Sequence, residues 1–384
     1  MEETIFGIDA SSANKPQKSG VEWYAHHLIE SLKKQALSEN ERVFLYAPSL
    51  LEEPLSELPL GWEQKILRWA LPKAWMQGRM SWEMKKRPPT VFFVPAQGLP
   101  RIVPNDRTKK QATVTTIHDI GFLHRPDIYP AKDRKRLVSA TNQAIKKATH
   151  LLTVSEFTKK ELMERYQLPT ERISVTHLAA NTDVFKPRSE KEVKEVLDAH
   201  RLGPHFFLWV GRLDKKKNLE LLLNAFTQFK EHQGMGDPFE LVLVGSPGFG
   251  YGNIKRVWQS SSAARQIRHL GYLPENELAA LMTQARAFLF PSWYEGFGIP
   301  NVEAMACGAP LLISDIPVHH EVAGDAAWYA SPNDPSAWAR MMKKFVDEPA
   351  YGDQLREKGF EQAKNYSWEK TAQKTWEVLR GVIG

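Results

Sequence analysis

Pro291-Ser-Trp-Tyr-Glu-Gly-Phe-Gly-Ile-Pro-Asn-Val-Glu-Ala-Met-Ala-Cys-Gly308 follows directly on the apolar run Ala287–Phe290. A short strand, a glycine-rich turn and a proline where a helix would start make a strand–loop–helix unit, the building block of a parallel α/β fold. Such a junction aims unpaired backbone N–H groups, and the positive end of a helix dipole, at whatever lies before it; an anion such as a phosphate suits that position. Glu295 and Glu303 bracket the turn. Carboxylates beside an anion seat accept hydrogen bonds from neutral hydroxyls, and hydroxyls beside phosphates describe a nucleotide or a sugar nucleotide. Glu303, expected in the first turn of the helix, is equally explained by the dipole, and a glycine-rich turn alone is a weak signal. The decision rests on the rest of the chain.

Outward from this stretch, short β-branched or aromatic runs alternate with helical patterns. Thr4–Ile8, Val43–Ala47, Val91–Val94, Ala112–Ile117, Leu151–Val154 and Ile173–His177 form one set of expected strands. After Asn181-Thr-Asp-Val-Phe-Lys-Pro-Arg-Ser189 a second set begins: Phe206–Val210, Leu241–Val244, Ala287–Phe290 and Pro310–Ile313. Runs apolar on both faces and separated by helices imply parallel sheets buried between helical layers. The expected fold class is therefore α/β, with two parallel-sheet domains, and open sheets of this kind bind ligands at the carboxyl ends of their strands. At 384 residues two domains are also the natural reading of length. The tail from Ser367 reads as an amphipathic helix with Trp368, Ala372, Trp376 and Leu379 on one face.

Composition is that of an ordinary globular protein, 42% hydrophobic and 25% charged, which argues against disorder. Cys307 is the only cysteine, so no disulfide forms within the chain and a reducing compartment is expected. Met1-Glu-Glu-Thr is not the start of a signal peptide, and no uncharged apolar stretch approaches the length of a membrane span. A cytoplasmic location is the expectation. The net charge of +6 invites a nucleic-acid reading, but no nucleic-acid module is recognisable and acids are numerous. The excess suits a small phosphorylated ligand, an anionic acceptor or a membrane surface.

Three further segments lie just past expected strands. In Phe207-Leu-Trp-Val-Gly-Arg-Leu-Asp-Lys-Lys-Lys-Asn-Leu219, Arg212 and Lys217 supply a guanidinium fork and a mobile ammonium suited to a diphosphate leaving group, and Asn218 is placed to cap the next helix. A lysine run is otherwise most often a solvated loop. In Val114-Thr-Thr-Ile-His-Asp-Ile-Gly121, His118 and Asp119 open a loop where an imidazole can bond a sugar hydroxyl; a lone histidine is more often structural. Gly7-Ile-Asp-Ala-Ser-Ser-Ala-Asn-Lys-Pro-Gln-Lys-Ser-Gly20 runs from a first strand into a helix at Gly20 and is neither a dinucleotide fingerprint nor a Walker loop. Cys/His clusters with zinc spacing and a His-Glu-x-x-His motif are absent from the sequence, so no dedicated metal site is expected.

Together these segments resemble the family-four retaining glycosyltransferases of GT-B fold. The likeness covers nearly the whole chain in order and is most specific at Glu295-x7-Glu303 and at Gly211-Arg212 with Lys217-Asn218; Thr116–Ile120, Leu152–Lys160 and Gly271–Leu278 add to it. It implies two Rossmann-like domains facing across a cleft. Residues 1–182 would lie on the acceptor side and 183–366 would bind the nucleotide sugar, with the final helix, 367–384, packing back on the first domain. Arg212 and Lys217 would bind the diphosphate in place of a metal, Glu303 the ribose hydroxyls, and Glu295 the donor sugar with backbone N–H groups around Phe297 and Gly298. His118 would contact the transferred sugar, and Gly20 would let the first loop approach the donor. Glu22, in Gly20-Val-Glu-Trp-Tyr24, departs from the small residue that relatives often carry; it is assigned with Asp119 to the acceptor side, where it bonds an acceptor hydroxyl or else simply points outward.

The activity so implied is transfer, with retention by front-face attack, of a hexose or deoxyhexose. A mannosyl-type transfer is the best single reading. The donor would be a GDP- or UDP-sugar and the acceptor a saccharide or lipid-linked saccharide in polysaccharide or glycolipid biosynthesis, with no cofactor beyond the co-substrate. The alternative is a catalytically silent nucleotide-sugar-binding subunit; joint retention of His118, Arg212, Lys217, Glu295 and Glu303 argues against it. Finally, Trp62–Arg87 mixes Trp62, Trp69, Trp75 and Trp82 with Lys65, Arg68, Lys73, Arg79 and Lys85-Lys86-Arg87, the composition of an interfacial helix, interrupted at Pro72. Two readings stay open: peripheral contact with the anionic inner face of a membrane, or tryptophans packed within the first domain with the bases as a solvated rim.

Overall fold

The computed structural model describes residues 3–71, 74–106, 108 and 111–383. The chain divides into two compact units, Met1–His124 with Ala131–Leu178 and Ser367–Gly384, and Ala179–Tyr366 with Arg125–Pro130. The division falls between Leu178 and Ala179, ahead of the 182/183 boundary read from the sequence, and Arg125–Pro130 groups with the second unit.

Each unit is built on one sheet. The first contains β1 Thr4–Asp9, β2 Glu41–Ala47, β3 Trp62–Ile66, β4 Val91–Val94, β5 Ala112–Ile117, β6 His150–Thr153 and β7 Ile173–Val175, in the order β3-β2-β1-β4-β5-β6-β7. The second contains β8 Phe206–Val210, β9 Glu240–Val244, β10 Ile267–His269, β11 Phe288–Phe290, β12 Leu311–Ser314 and β13 Ala327–Ala330, in the order β10-β9-β8-β11-β12-β13. All pairings are parallel, with registers such as Phe6↔Val43, Phe6↔Val91 and Phe290↔Ile313. β4, β5, β8, β11 and β12 are buried along their whole length, as runs apolar on both faces require.

In both sheets the strand order reverses next to the first strand. In the first, the chain goes from β1 to β2 on one side and returns to β4 on the other; in the second, β8 has β9 on one side and β11 on the other. The loops leaving strands on either side of such a reversal diverge and leave a crevice at the strands' carboxyl ends. The Gly20 loop leaves β1, and the Arg212–Lys217 and Glu295–Gly298 loops leave β8 and β11.

The last helix, Trp368–Gly381, belongs to the first unit. Ser367 caps it, accepting a hydrogen bond from Lys370 N. Its apolar face is buried as the periodicity predicts: Trp376 meets Phe6 edge-on at 5.0 Å and donates Nε1–H to the Leu32 carbonyl. Arg380 forms a two-pronged pair with Glu41 at 2.8 and 2.9 Å.

The stretch 62–87 is not one interfacial helix. Trp62 starts β3, a π-turn follows at Met76–Met80 and a short helix at Ser81–Lys86. Trp62 and Trp75 are core residues, the latter donating to the Leu67 carbonyl at 2.7 Å, whereas Trp69 and Trp82 are exposed. The expected break at Pro72, and Lys73, lie outside the described residues.

Candidate functional site

At Gly211 the backbone leaves β8 with φ of +155°, a value that favours glycine. The next residues turn back on themselves: Asp214 accepts from Lys217 N and caps the single 3₁₀ turn Lys215–Lys217. Arg212 stays largely in solvent, its side chain 63% exposed and resting 3.4 Å from Asp214. Asn218 does not cap the following helix through its side chain. It adopts a left-handed backbone (φ 54°), and its amide donates to the Pro332 carbonyl at 2.9 Å.

Lys217 points inward. Its Nζ stands 2.7 Å from Glu295 Oε1 and 4.7 Å from the centre of the Phe290 ring. Glu295 is buried. Burial alone would raise its carboxyl, but the charges of Lys217 and Lys216 outweigh that and hold it at about 2. The exits of β8 and β11 are also tied by backbone, Trp293 N donating to the Lys216 carbonyl at 3.0 Å. The loop then turns at Gly298 (φ +87°) into the helix Ile299–Cys307, with Pro300 in its first turn. Phe297 is buried edge-on against Tyr366 at 5.4 Å.

Glu303 does not lie in the first turn of that helix, so the dipole does not account for it. It is half-buried and makes no hydrogen bond or ion pair among the described residues. Burial, with the nearby charge of Glu275, pushes its carboxyl up to about 8. The two carboxylates of the opening stretch are thus driven in opposite directions. One is held ionised by a lysine, and the other has acceptor capacity that no side chain uses.

In the first unit His118 follows directly on β5. Its Nε2 lies 2.9 Å from the Pro95 carbonyl, just past β4, so that nitrogen carries the proton and donates. Burial holds the ring below the usual imidazole range, against the opposing pull of that carbonyl and of Asp119 and Glu22. A neutral ring so bonded offers Nδ1 as an acceptor. Tyr24 packs edge-on against it at 4.7 Å and is fixed by a bond between its OH and Thr116 Oγ1. Asp119 Oδ1 accepts from Gly121 N and opens the next turn. Gly20 is exposed at the first position of the helix Gly20–Lys33, and a Cβ there would meet nothing. Glu22 is engaged within its own helix start, where it closes a capping box with Ser19 and pairs with Lys15 at 2.7 Å.

The structure adds a loop that the sequence reading passed over, Gly245-Ser-Pro-Gly-Phe-Gly250 after β9. A Cβ on Gly245 would lie 1.8 Å from the Gly211 carbonyl oxygen, and one on Gly248 would lie 3.0 Å from Arg212 Nε. Backbone bonds Leu213 N→Ser246 O and Lys215 N→Phe249 O lock the two loops together. Three glycines in six residues straight after an expected strand were the available signal.

Comparison with known proteins matches both halves of the chain to family models. The family model described as Glycosyltransferase Family 4 matches residues 18–184, and that described as Glycosyl transferases group 1 matches residues 179–365. The chain is 32% identical over 299 residues to the O-antigen chain mannosyltransferase B of Escherichia coli, covering 77% of this chain and 76% of that one. Among solved structures it is similar to the sucrose-phosphate synthase of Thermosynechococcus elongatus, with a TM-score of 0.74 and 16% identity over 99% of both chains. It is equally similar to Anabaena HepE in complex with UDP and glucose, with a TM-score of 0.74 and 15% identity over 99% of this chain and 100% of that one.

Proposed function

The chain belongs to the family-four glycosyltransferases, of GT-B fold, and on that premise we propose that it moves a hexose, mannosyl in type, from a nucleotide-diphosphate sugar to a saccharide or lipid-linked saccharide acceptor in polysaccharide biosynthesis, with retention at the anomeric carbon. The observation that carries this reading is the placement of Arg212, Lys217 and Glu295 at the adjoining exits of β8 and β11, with Glu303 in the helix that follows β11. Arg212 is exposed, and Lys217 is held by a carboxylate that a diphosphate can displace. The two cations would then share the negative charge that develops on the departing diphosphate. Glu295, released, accepts hydroxyls of the donor sugar. Glu303 accepts the two ribose hydroxyls, which supply the donors it lacks in the free protein. Within the first unit, His118 Nδ1 is an acceptor suited to a sugar hydroxyl, and Gly20 leaves its backbone uncovered by a side chain.

The test is a thermal-shift series with GDP, UDP, GDP-mannose and UDP-glucose. Ligand at a hundred times its Kd stabilises by about 2.7 kcal/mol. We expect one nucleotide class to raise Tm, and Arg212→Ala to abolish the rise without lowering the ligand-free Tm, since its side chain is solvated. Wild-type protein unmoved by all four ligands would overturn the assignment.

A membrane-facing acceptor side is favoured by one feature of the first unit. Leu60 is fully exposed, and Leu71, Trp69 and Trp82 are 64%, 42% and 50% exposed, in a stretch that also exposes Arg68, Lys85, Lys86 and Arg87. No helix among the described residues is long and apolar enough to cross a membrane. Attachment would therefore be peripheral, with tryptophans at the headgroup level and the bases on anionic lipid. Co-sedimentation with phosphatidylglycerol vesicles at low salt is expected, weakened several-fold by joint Trp69→Ser and Trp82→Ser replacement. Equal sedimentation of the variant would exclude these side chains as the anchor.

A further inference from the structure

Behind the Glu295–Gly298 turn lie two side chains that the proposed chemistry does not use. Asn301, in the first turn of the helix Ile299–Cys307, is fully buried, and neither its Oδ1 nor its Nδ2 has a hydrogen-bond partner. His319, in the helix Pro317–Ala323, is also fully buried. Its Nδ1 lies 2.8 Å from the Ser314 carbonyl and so carries the proton, which leaves Nε2 as a buried acceptor without a partner. Both orphaned groups face one backbone point: a Cβ on Gly298 would lie 3.0 Å from Asn301 Nδ2 and 3.7 Å from His319 Nε2. The charges of Glu295 and Lys217 both reach the His319 ring. Buried polar atoms without partners are costly and uncommon, and two converging on one turn mark a place that a second arrangement satisfies.

We propose that Asn301 and His319 are positioning residues that form a polar seat for the Glu295–Gly298 turn in the donor-loaded protein. This rests on the donor-site reading above. When Lys217 turns from Glu295 to the diphosphate, the turn loses one of the ties that hold it in the free protein. The seat offers it an amide donor and an imidazole acceptor, and so keeps Glu295 aimed at the sugar.

Substitutions at the two positions separate this role from a structural one. His319→Asn keeps a donor for the Ser314 carbonyl but lacks an atom at Nε2, whereas His319→Gln restores a polar atom there. Asn301→Leu replaces the amide by an apolar side chain of similar size. Binding of GDP and UDP is compared with that of GDP-mannose and UDP-glucose by calorimetry. We expect His319→Asn and Asn301→Leu to bind the nucleotide as wild type does and the nucleotide sugar about tenfold more weakly, and Asn301→Leu to unfold at or above the wild-type Tm. His319→Gln should recover the sugar-dependent part. Unchanged sugar binding in both variants, equal loss of nucleotide and nucleotide sugar, or a Tm well below wild type for Asn301→Leu would each overturn the proposal. Wild-type protein that binds none of the four ligands would instead overturn the donor-site reading, and the seat with it.

Discussion

Lys217→Ala should destabilise the protein by about 3–5 kcal/mol at pH 7, beyond any loss of donor binding. The substitution removes the ammonium 2.7 Å from a buried carboxylate and leaves Glu295 to bear its desolvation without its main compensating charge. The dependence on pH has a definite sign. The Glu295 carboxyl is held at about 2 against a reference value of 4.5, so its contribution is present above the unfolded value and is lost as pH falls through the folded one. The deficit of Lys217→Ala should therefore be full from about pH 5 upward and shrink toward pH 2. Urea unfolding at pH 3, 5 and 7 measures it. The double variant Lys217→Met with Glu295→Leu should recover much of the loss, because an apolar pair leaves no charge uncompensated. Wild-type stability in Lys217→Ala would show that the pair is not formed in solution.

Glu303→Gln should do the opposite to stability while harming function. Burial and Glu275 raise the Glu303 carboxyl to about 8. Between the reference value of 4.5 and that pH the folded protein holds a proton that the unfolded chain has released, so stability falls as pH rises across the window. A glutamine pays no such penalty. The variant should match wild type near pH 5 and exceed it at pH 9, by on the order of 2 kcal/mol. Nucleotide affinity should drop by about tenfold to a hundredfold, the loss expected when hydrogen bonds to a charged acceptor are removed. Because ribose hydroxyls favour the ionised carboxylate, wild-type protein should also release protons on binding nucleotide at pH 7. Calorimetry in two buffers of different ionisation enthalpy detects that release, and Glu303→Gln should abolish it. Proton release that is the same in both proteins would remove Glu303 from the ribose site.

Ten of the thirteen strands among the described residues are legible in the sequence, and the three missed share a position. β3, β10 and β13 are edge strands. Trp-Glu-Gln-Lys-Ile and Ile-Arg-His carry polar residues where the central strands carry apolar ones, whereas Ala-Trp-Tyr-Ala is apolar but only four residues long, with Trp328 exposed. The candidate site divides in the same way between local and distant causes. The turn at Gly298 and the helix entry at Gly20 follow from local preference and are readable. The pairing of Lys217 with Glu295 joins residues brought together only by the adjacency of β8 and β11, which no local pattern encodes. Asn218 shows the converse: a residue suited to capping gives its amide to Pro332 because a distant carbonyl lies within reach. Glu22, read as an outward or acceptor-facing charge, has a local partner in Ser19, and the Ser-x-x-Glu spacing of a capping box was there to be seen.

The closing helix has a consequence for the order in which the protein is made. Chains fold domain by domain as they leave the ribosome. The second unit is complete when Tyr366 has emerged, whereas the first, although begun earlier, still lacks the segment that covers Phe6 and Trp62. Until Trp368–Gly381 has been synthesised, that apolar surface stays open to chaperones and to self-association, and the unit made first is the last to be finished.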